Sequence, residues 1–286
     1  MKALRTIAPH PPSLFLRFLT LAAAGLTMAF ICFLTGSILI RGIPHLRAGL
    51  FAWRYTSENV SFMPALINTV LITLAALALA VPAGSGAAIW LVEYARRGNK
   101  LVLAVRLAAE TLAGLPSIIY GLFGMLLFVI FLGWGYSLLA GACTLAVMIL
   151  PLILRTTEEA LLCVPDAYRE GSFGLGAGKL RTLFAVVLPS AAPGILAGVI
   201  LGVGRIVGET AALIFTAGTV PELPDSPFSS TRTMAVHLYN LSGEGLHIDQ
   251  AAAAAAALLV LVAGINALSA WGAKKISGAR YGGHSQ

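Results

Sequence analysis

The chain has 286 residues, of which 58% are hydrophobic and only 11% are charged. Soluble domains carry about 25% charged residues, so this composition excludes an ordinary soluble domain and indicates a protein that crosses a membrane several times. The net charge of +7 does not indicate a nucleic-acid partner, because the basic residues lie between apolar runs, as in the inner loops of membrane proteins.

Six apolar stretches are long enough to cross a hydrocarbon core of about 30 Å, which takes roughly 20 helical residues. In chain order they are predicted near residues 14–40, 64–92, 111–132, 136–154, 190–219 and 250–272. The first continues past the small residues at 22–24 to Ile40, which is too long for the apolar part of a removable signal peptide. We therefore expect an uncleaved first span and an all-α polytopic membrane protein with six transmembrane helices.

The distribution of basic residues predicts the orientation of these spans. With the N-terminus in the cytoplasm, fourteen of the 19 Lys and Arg residues fall in inner segments and four in outer segments, while Arg205 lies within a span. Cytoplasmic loops carry an excess of Lys and Arg, so both termini are expected to be cytoplasmic. The outer loop at 220–249 has three prolines and is expected to be irregular at its start.

The inner loop at 155–189 is longer than a simple connector needs. Pro165 and Asp166 suit the first turn of a short helix, which the following glycines are expected to break. The amphipathic run KLRTLFAVVL then leads to Pro189, where the fifth span is expected to begin. The run GLGAGK at 174–179 does not fit a nucleotide P-loop, because Phe173 and Leu180 occupy the positions that require Gly and Ser or Thr.

Two ionisable residues, Arg205 and Glu209, lie inside the fifth predicted span. Each costs roughly 2.5–3.5 kcal/mol to insert in hydrocarbon. On one continuous helix they would share a face with small and hydroxyl residues. The other members of that face are Gly194, Gly198, Gly202, Ala212 and Thr216. Glycines at four-residue spacing let another helix approach closely, so we expect this face to pack against protein and to place Arg205 and Glu209 inside the bundle near mid-membrane.

Two interpretations of this pair remain open, an ion pair that joins helices and a contact on a substrate pathway. Arg before Glu is the poorer order for a pair four residues apart, and a buried pair is often no more stabilising than apolar replacements. A guanidinium matches a tetrahedral oxyanion bidentately and stays charged. These points favour a substrate pathway that includes Arg205, Glu209 and Thr216. Glu209 is further expected to disfavour sulfate, because phosphate keeps a proton that it can donate to a carboxylate.

The loop at 155–189 also carries a family resemblance. Glu170-Gly171-Ser172, then Gly176 and then Leu188-Pro189, resembles the EAA loop of ABC importer permeases, with Gly171 in place of the first Ala and Val186 at the Ile position. Four further runs are similar to the PstA-like permease subunits of phosphate ABC importers. They are PAGSGAAIWLVEYA (82–95), LPSIIYGLFG (115–124), LRTTEEAL (154–161) and GETAALIFTAG (208–218).

This resemblance implies a type I ABC importer permease (MetI-like) fold in the bacterial inner membrane, and import of inorganic phosphate without a catalytic residue. Residues 1–63 would form the cytoplasmic tail, first span and outer loop, and residues 64–286 the permease domain. Glu170, Gly176, Leu188 and Pro189 would belong to the loop that couples the chain to an ATPase. The implied partners are a PstC-like permease in a heterodimer, a PstB-like ATPase dimer and a PstS-like periplasmic phosphate-binding protein. ATP and Mg would be held by the ATPase, and this chain would hold no cofactor.

Two alternatives remain. The first is a permease for another oxyanion, such as phosphonate, sulfate or molybdate. The second is an ion-coupled secondary transporter, which would need neither Glu170 nor Gly176 for an ATPase contact. A metal site is not expected, because the five His residues lie outside the predicted spans and the three Cys residues share no ligand spacing.

Overall fold

A computed structural model describes residues 11–96 and 98–281, with side chains over 15–96, 98–268 and at 271. Within these residues the chain forms a bundle of helices. They are α1 (Pro11–Gly42), α2 (Met63–Ile89), α3 (Lys100–Ala113), α4 (Ser117–Gly124), α5 (Leu138–Leu162), α6 (Asp166–Gly174), α7 (Lys179–Thr182), α8 (Leu188–Val207), α9 (Ala211–Ile214), α10 (Met234–Glu244) and α11 (Ile248–Tyr281). Short π-helical segments continue α2 through Trp90–Tyr94, continue α4 through Met125–Phe131, and join α7 to α8 through Leu183–Val187.

Five helical stretches in the described part of the chain are long and apolar enough to cross a membrane. They are Phe15–His45, Met63–Tyr94, Leu138–Leu162, Lys179–Val207 and Ile248–Leu268. α3 and the helix from Ser117 to Phe131 pass the same test only together, as a pair bent by 104° where they meet, and this pair is the sixth crossing if it forms one span. The prediction of an all-α polytopic protein with six membrane helices is confirmed, with the third crossing made of two pieces.

The third predicted span, 111–132, is wrong as a single helix. Residues 111–113 belong to α3, and a second helix, bent away from α3, begins only at Ser117. Pro116 has no N–H to donate and disfavours a helical conformation at Leu115, so the chain turns here. α3 packs its Ala109 against Leu154 of α5, which positions this amphipathic helix beside the end of α5.

The core of the bundle lies where α5 packs between α2 and α8. Ile72 of α2, Leu145 and Ile149 of α5, and Ile206 of α8 are almost completely buried there. α1 contributes little to this core, because its residues 15–34 are all exposed. It approaches α11 at Gly42, where an added Cβ atom would overlap the backbone of Ala252.

The fifth predicted span is wrong at both ends. The helix does not begin at Pro189 but runs without interruption from Lys179, because the π-helical segment just before Pro189 accommodates the missing backbone donor. It ends at Val207 rather than near residue 219. The inner loop is also shorter than predicted, since residues 155–162 extend α5.

The predicted outer loop is irregular over residues 218–233, as expected from its prolines, but then forms α10. That helix was not predicted. Its residues Met234, Val236 and His237 are fully buried, so α10 is a structural part of the bundle.

Candidate functional site

The glycine face of α8 packs closely against α5. Its three glycines are Gly194, Gly198 and Gly202. A Cβ atom added at the first would lie 2.6 Å from the Cβ of Ala160, and one added at the third would lie 3.4 Å from the Cδ1 of Ile153. The contact thus moves from the end of α5 towards its middle, and Arg205 lies less than one turn beyond Gly202. This register places Arg205 near the mid-depth of the bundle.

The helix breaks immediately after Arg205. Gly208 ends α8, and the Glu209 N–H donates to the Ile206 carbonyl at 3.0 Å in a turn. The Glu209 carboxylate then accepts a hydrogen bond from the N–H of Ala212 at 3.2 Å, at the start of α9. The predicted single helical face from Gly194 to Thr216 is therefore wrong beyond Val207. A flexible glycine and a side chain that bonds to the local backbone together favour a turn over continued helix.

Arg205 and Glu209 do not form an ion pair among the residues the structure describes. Arg205 is half-buried in the last turn of α8, where the negative end of the helix dipole stabilises a cation. Its charge also acts on the hydroxyl of Tyr120 on α4. Neither influence is a hydrogen bond to the guanidinium, and no side chain or carbonyl among the described residues bonds to its N–H donors.

Tyr120 links this region to the break in the third crossing. Its hydroxyl donates to the Leu112 carbonyl at 2.6 Å, across the bend at Pro116. Next to it, a Cβ atom on Gly121 would lie 2.8 Å from the Cα of Ala212 in α9. The two broken crossings therefore meet at Gly121 and Ala212, near Arg205, whose charge acts on Tyr120.

Thr216 lies apart from Arg205, at the far end of α9. Its side chain is fully buried, and its hydroxyl donates to the Ala212 carbonyl at 2.8 Å. Its methyl group faces Gly124 of α4, where an added Cβ atom would approach it to 2.9 Å. The hydroxyl hydrogen is thus committed to the backbone, and a role for Thr216 on the substrate pathway stays a prediction.

Beyond the end of α5, residues 166–189 form two helices separated by a glycine turn. α6 ends at Gly174, the turn passes through Gly176 with φ +83°, and the next helix begins at Lys179. This confirms the predicted helix, glycine turn and helix. Glu170 is exposed, while Leu188 and Pro189 are half-buried within the continuous helix. An apolar surface flanks Glu170, made of exposed side chains of Tyr168, Phe173, Leu175, Leu180 and Phe184.

Arg169 fixes α6 to the rest of the bundle. Its guanidinium pairs with Glu93 at the end of α2, with Nη2–Oε1 at 2.8 Å and Nε–Oε1 at 3.1 Å. It also donates to the Val164 carbonyl at 2.8 Å and to the Leu161 carbonyl at 3.0 Å, just at the end of α5. One side chain therefore connects α6 to both neighbouring membrane helices, and movement of α6 must be transmitted to them or break these bonds.

Sequence reasoning missed this ion pair and a second one between Arg106 of α3 and Glu158 of α5. The partners of the first are 76 residues apart. Glu93 follows an apolar helix and had no local signal of a partner. Glu158 is largely buried on α5, four residues beyond Leu154, so its position on the core face of a longer α5 was the available clue.

Among the described residues, no group of three or more His, Cys, Asp or Glu side chains could hold a metal ion. Cys143 is half-buried, while Cys32 and Cys163 are exposed, and all three are free thiols. Near Arg205 the structure places a permanent cation, which has no hydrogen-bonded partner in the described part of the chain, and a carboxylate, Glu209, on the opposite side of a helix break.

Comparisons with known proteins extend this picture. Residues 80–277 match the family described as "Binding-protein-dependent transport system inner membrane component". The chain is 39% identical over 222 residues to the probable ABC transporter permease protein YqgI of Bacillus subtilis (strain 168), covering 72% of this chain and 75% of YqgI. It is 34% identical over 209 residues to the phosphate transport system permease protein PstA of Mycobacterium leprae (strain TN), covering 72% and 68% of the two chains.

The fold is similar to that of a solved ABC importer permease. The inward-facing MetNI methionine ABC transporter aligns with a TM-score of 0.60 and 20% identity, over 75% of this chain and 94% of that chain. At this identity the likeness concerns the fold alone, and it confirms the type I (MetI-like) permease architecture.

Proposed function

Because the chain belongs to the family of binding-protein-dependent transport system inner membrane components, as an ABC importer permease subunit that crosses the membrane several times, we propose that it translocates inorganic phosphate. The observation that carries this proposal is the state of Arg205. A guanidinium near mid-depth, beside two helix breaks and without a hydrogen-bonded protein partner among the described residues, suits a passing oxyanion. The name of the PstA relative supports phosphate as that oxyanion.

The proposed complex contains one copy of this chain and a PstC-like permease, with a PstB-like ATPase dimer on the cytoplasmic side and a PstS-like phosphate-binding protein on the periplasmic side. Both termini are cytoplasmic in this arrangement, in the bacterial inner membrane. The ATPase holds ATP and Mg, and this chain contributes no catalytic group or cofactor site.

Coupling to the ATPase is proposed to occur at the exposed surface around Glu170. The apolar side chains beside it are unusual for a solvated loop and suit burial against a partner. Force applied to α6 reaches α2 and α5 through Arg169, and force applied to α7 reaches α8 directly, because α7 and α8 form one helix. Arg205 at the end of that helix would move with it.

The test replaces Arg205 with Met, which has similar bulk, and with Lys, which keeps the charge. We expect Arg205→Met to reduce phosphate uptake at least about tenfold, since hydrogen bonds to a charged group are each worth about 1.5–3 kcal/mol. Arg205→Lys should retain partial activity, because it loses only the planar fork. The measurement is uptake of radiolabelled phosphate, with co-purification of the ATPase as the check that the complex has assembled. Full uptake by an intact Arg205→Met complex would reject the proposal.

Glu209 provides a test of selectivity. Glu209→Gln keeps an oxygen that can accept the hydrogen bond from Ala212 but removes the negative charge. We expect sulfate to compete with phosphate more effectively in this variant, because the like-charged contact is gone. Unchanged exclusion of sulfate would instead indicate that selection occurs before the substrate reaches this chain.

A further inference from the structure

A buried guanidinium, distinct from that of Arg205, lies at the end of the bundle where α2 begins, opposite α6. Arg232 precedes α10 and is only 5% exposed. Its guanidinium carbon lies 4.6 Å from the centre of the Tyr55 ring. The Asn68 side chain donates to the backbone carbonyls of Arg232 at 3.3 Å and Glu222 at 3.0 Å, so α2 holds the backbone of this segment in place.

One edge of the Arg232 side chain is buried and unused. Nε and Nη2 are both inaccessible to solvent and have no hydrogen-bond partner among the described residues. These two nitrogens form the side of the guanidinium that pairs bidentately with a carboxylate or phosphate group. Buried donors are almost always hydrogen-bonded in proteins, and unpaired donors on a charged group are especially unfavourable. The edge therefore has the geometry and the unmet bonding capacity of an oxyanion site.

His237 contributes a second unpaired group beside the same aromatic ring. It is fully buried, neither ring nitrogen has a partner among the described residues, and its ring centre lies 6.2 Å from that of Tyr55. Burial, and then the positive charge of Arg232, lower the pKa of His237 to about 3. The imidazole is accordingly neutral at physiological pH and offers one N–H donor and one acceptor.

A surface cavity of about 410 Å³ adjoins the Tyr55 ring that both groups contact, although neither Arg232 nor His237 lines it. Arg54 lines the cavity together with the carboxylates of Glu222 and Asp225, while Tyr55 and then Glu244 stabilise the charged form of Arg232. The two carboxylates of this cavity repel a doubly charged anion near it more strongly than a singly charged one. The surroundings therefore favour a small, singly charged oxyanion over sulfate.

We propose that Arg232 and His237 form a binding site for a small oxyanion at the outer end of this chain, separate from Arg205. The oxyanion would pair with the free edge of Arg232 and accept a hydrogen bond from His237. The identification of inorganic phosphate as the natural ligand rests on the proposed function. The existence of an oxyanion site at Arg232 does not depend on that function. Such a site would hold substrate between its delivery at the outer surface and its passage to Arg205.

The experiment measures equilibrium binding of radiolabelled inorganic phosphate to the full permease complex in lipid nanodiscs, without nucleotide or binding protein. Arg205→Met is used as the background, which removes the first site from the measurement. We expect one saturable site assigned to this chain, at least tenfold weaker in Arg232→Gln and also weakened in His237→Gln. Arg47→Gln, an exposed arginine at the same end of the bundle, is the matched control and should bind as the background does.

Two results would overturn the site. One is the absence of saturable phosphate binding in the Arg205→Met background, as expected if only water occupies these groups. The other is unchanged affinity in both the Arg232 and His237 variants. The first result needs no Arg232 variant, so a folding failure of Arg232→Gln leaves the proposal testable. Failure of the proposed function has a different signature, because Arg205→Met would then transport phosphate normally whether or not the Arg232 site binds it.

Discussion

Replacement of Gly198 by Ala should force α8 away from α5. The new Cβ atom would lie 2.6 Å from the Cβ of Thr156 and closer still to its hydroxyl. The hydroxyl donates to the Leu152 carbonyl at 2.9 Å, which favours the present rotamer. Even if the hydroxyl moved, the Cβ of Thr156 is attached directly to the backbone of α5 and has no rotation that avoids the contact. Relief thus requires the helices to separate by about 1 Å, to reach ordinary carbon–carbon contact.

The size of the effect follows from two opposing terms. Overpacking a tight contact costs about 1–3 kcal/mol. Replacing Gly by Ala inside a helix raises the stability by about 0.5–1 kcal/mol, because Ala loses less backbone entropy on folding. The expected net loss of stability for Gly198→Ala is about 1–2 kcal/mol. Gly204 on the same helix is the matched control, because among the described atoms its added Cβ would have one neighbour within 4 Å, the Oδ1 of Asn266 at 4.0 Å. Gly204→Ala should be neutral or slightly stabilising.

The assay is thermal unfolding of the purified complex together with phosphate uptake. We expect Gly198→Ala to unfold at a lower temperature than both the wild type and Gly204→Ala, and to transport more slowly, because Arg205 lies two turns further along the displaced helix. Adding Thr156→Gly should restore part of the loss by removing the opposing Cβ. The packing argument is refuted if Gly198→Ala and Gly204→Ala are equally stable, or if Thr156→Gly makes the first variant worse.

Three further predictions concern other parts of the chain. Gly176→Ala should lower the stability by about 1–2 kcal/mol, because a φ of +83° strains any residue that has a Cβ atom. Gly171→Ala lies inside α6 with open space around it and should raise the stability, and thermal unfolding compares the two variants. Between pH 7 and pH 5 the wild type should lose about 2 kcal/mol more stability than His237→Gln, because the pKa of His237 is lowered from 6.5 to about 3 and the unfolded chain is protonated first as the pH falls. Parallel slopes of stability against pH for the two proteins would contradict this. Arg169→Met should lower the stability by about 3–5 kcal/mol and uncouple ATP hydrolysis from uptake, because it leaves Glu93 buried without its partner. Arg155→Met changes an exposed side chain and should alter the stability by no more than about 0.5 kcal/mol. Equal effects of the two variants in coupled ATPase and uptake assays would contradict this prediction.

The sequence was sufficient for features that depend on local energetics. Long apolar runs predicted the membrane helices, because lipid contact requires about 20 apolar residues irrespective of which helices later meet. Gly176 predicted the turn between α6 and α7, since a positive φ is a property of the local backbone. The four-residue spacing of Gly194, Gly198 and Gly202 predicted a face for close helix approach, and the structure places α5 on that face.

Helix continuity was the point at which local patterns misled. The run from residue 190 to 219 is apolar throughout, so hydropathy predicted one helix and placed Arg205 and Glu209 one turn apart on it. The structure ends α8 at Val207, because Gly208 weakens the helix and Glu209 bonds to the backbone of the following turn. An apolar composition is equally compatible with a straight helix and with a broken one whose turn is covered by protein. The packing of α9 against α4, where Gly121 meets Ala212, distinguishes the broken helix from the straight one.

What the amino-acid sequence determined by itself was a set of lipid-compatible helices, their tight faces and the turn at Gly176. Tertiary structure alone decided that Arg169 joins α6 to Glu93, and that Arg205 and the Nε–Nη2 edge of Arg232 have no hydrogen-bond partner among the residues described. The physical reason is the same in each case. The cost of burying a charge is a property of the residue, but whether a group that offsets it lies nearby depends on distant parts of the chain, which become neighbours only when the helices pack.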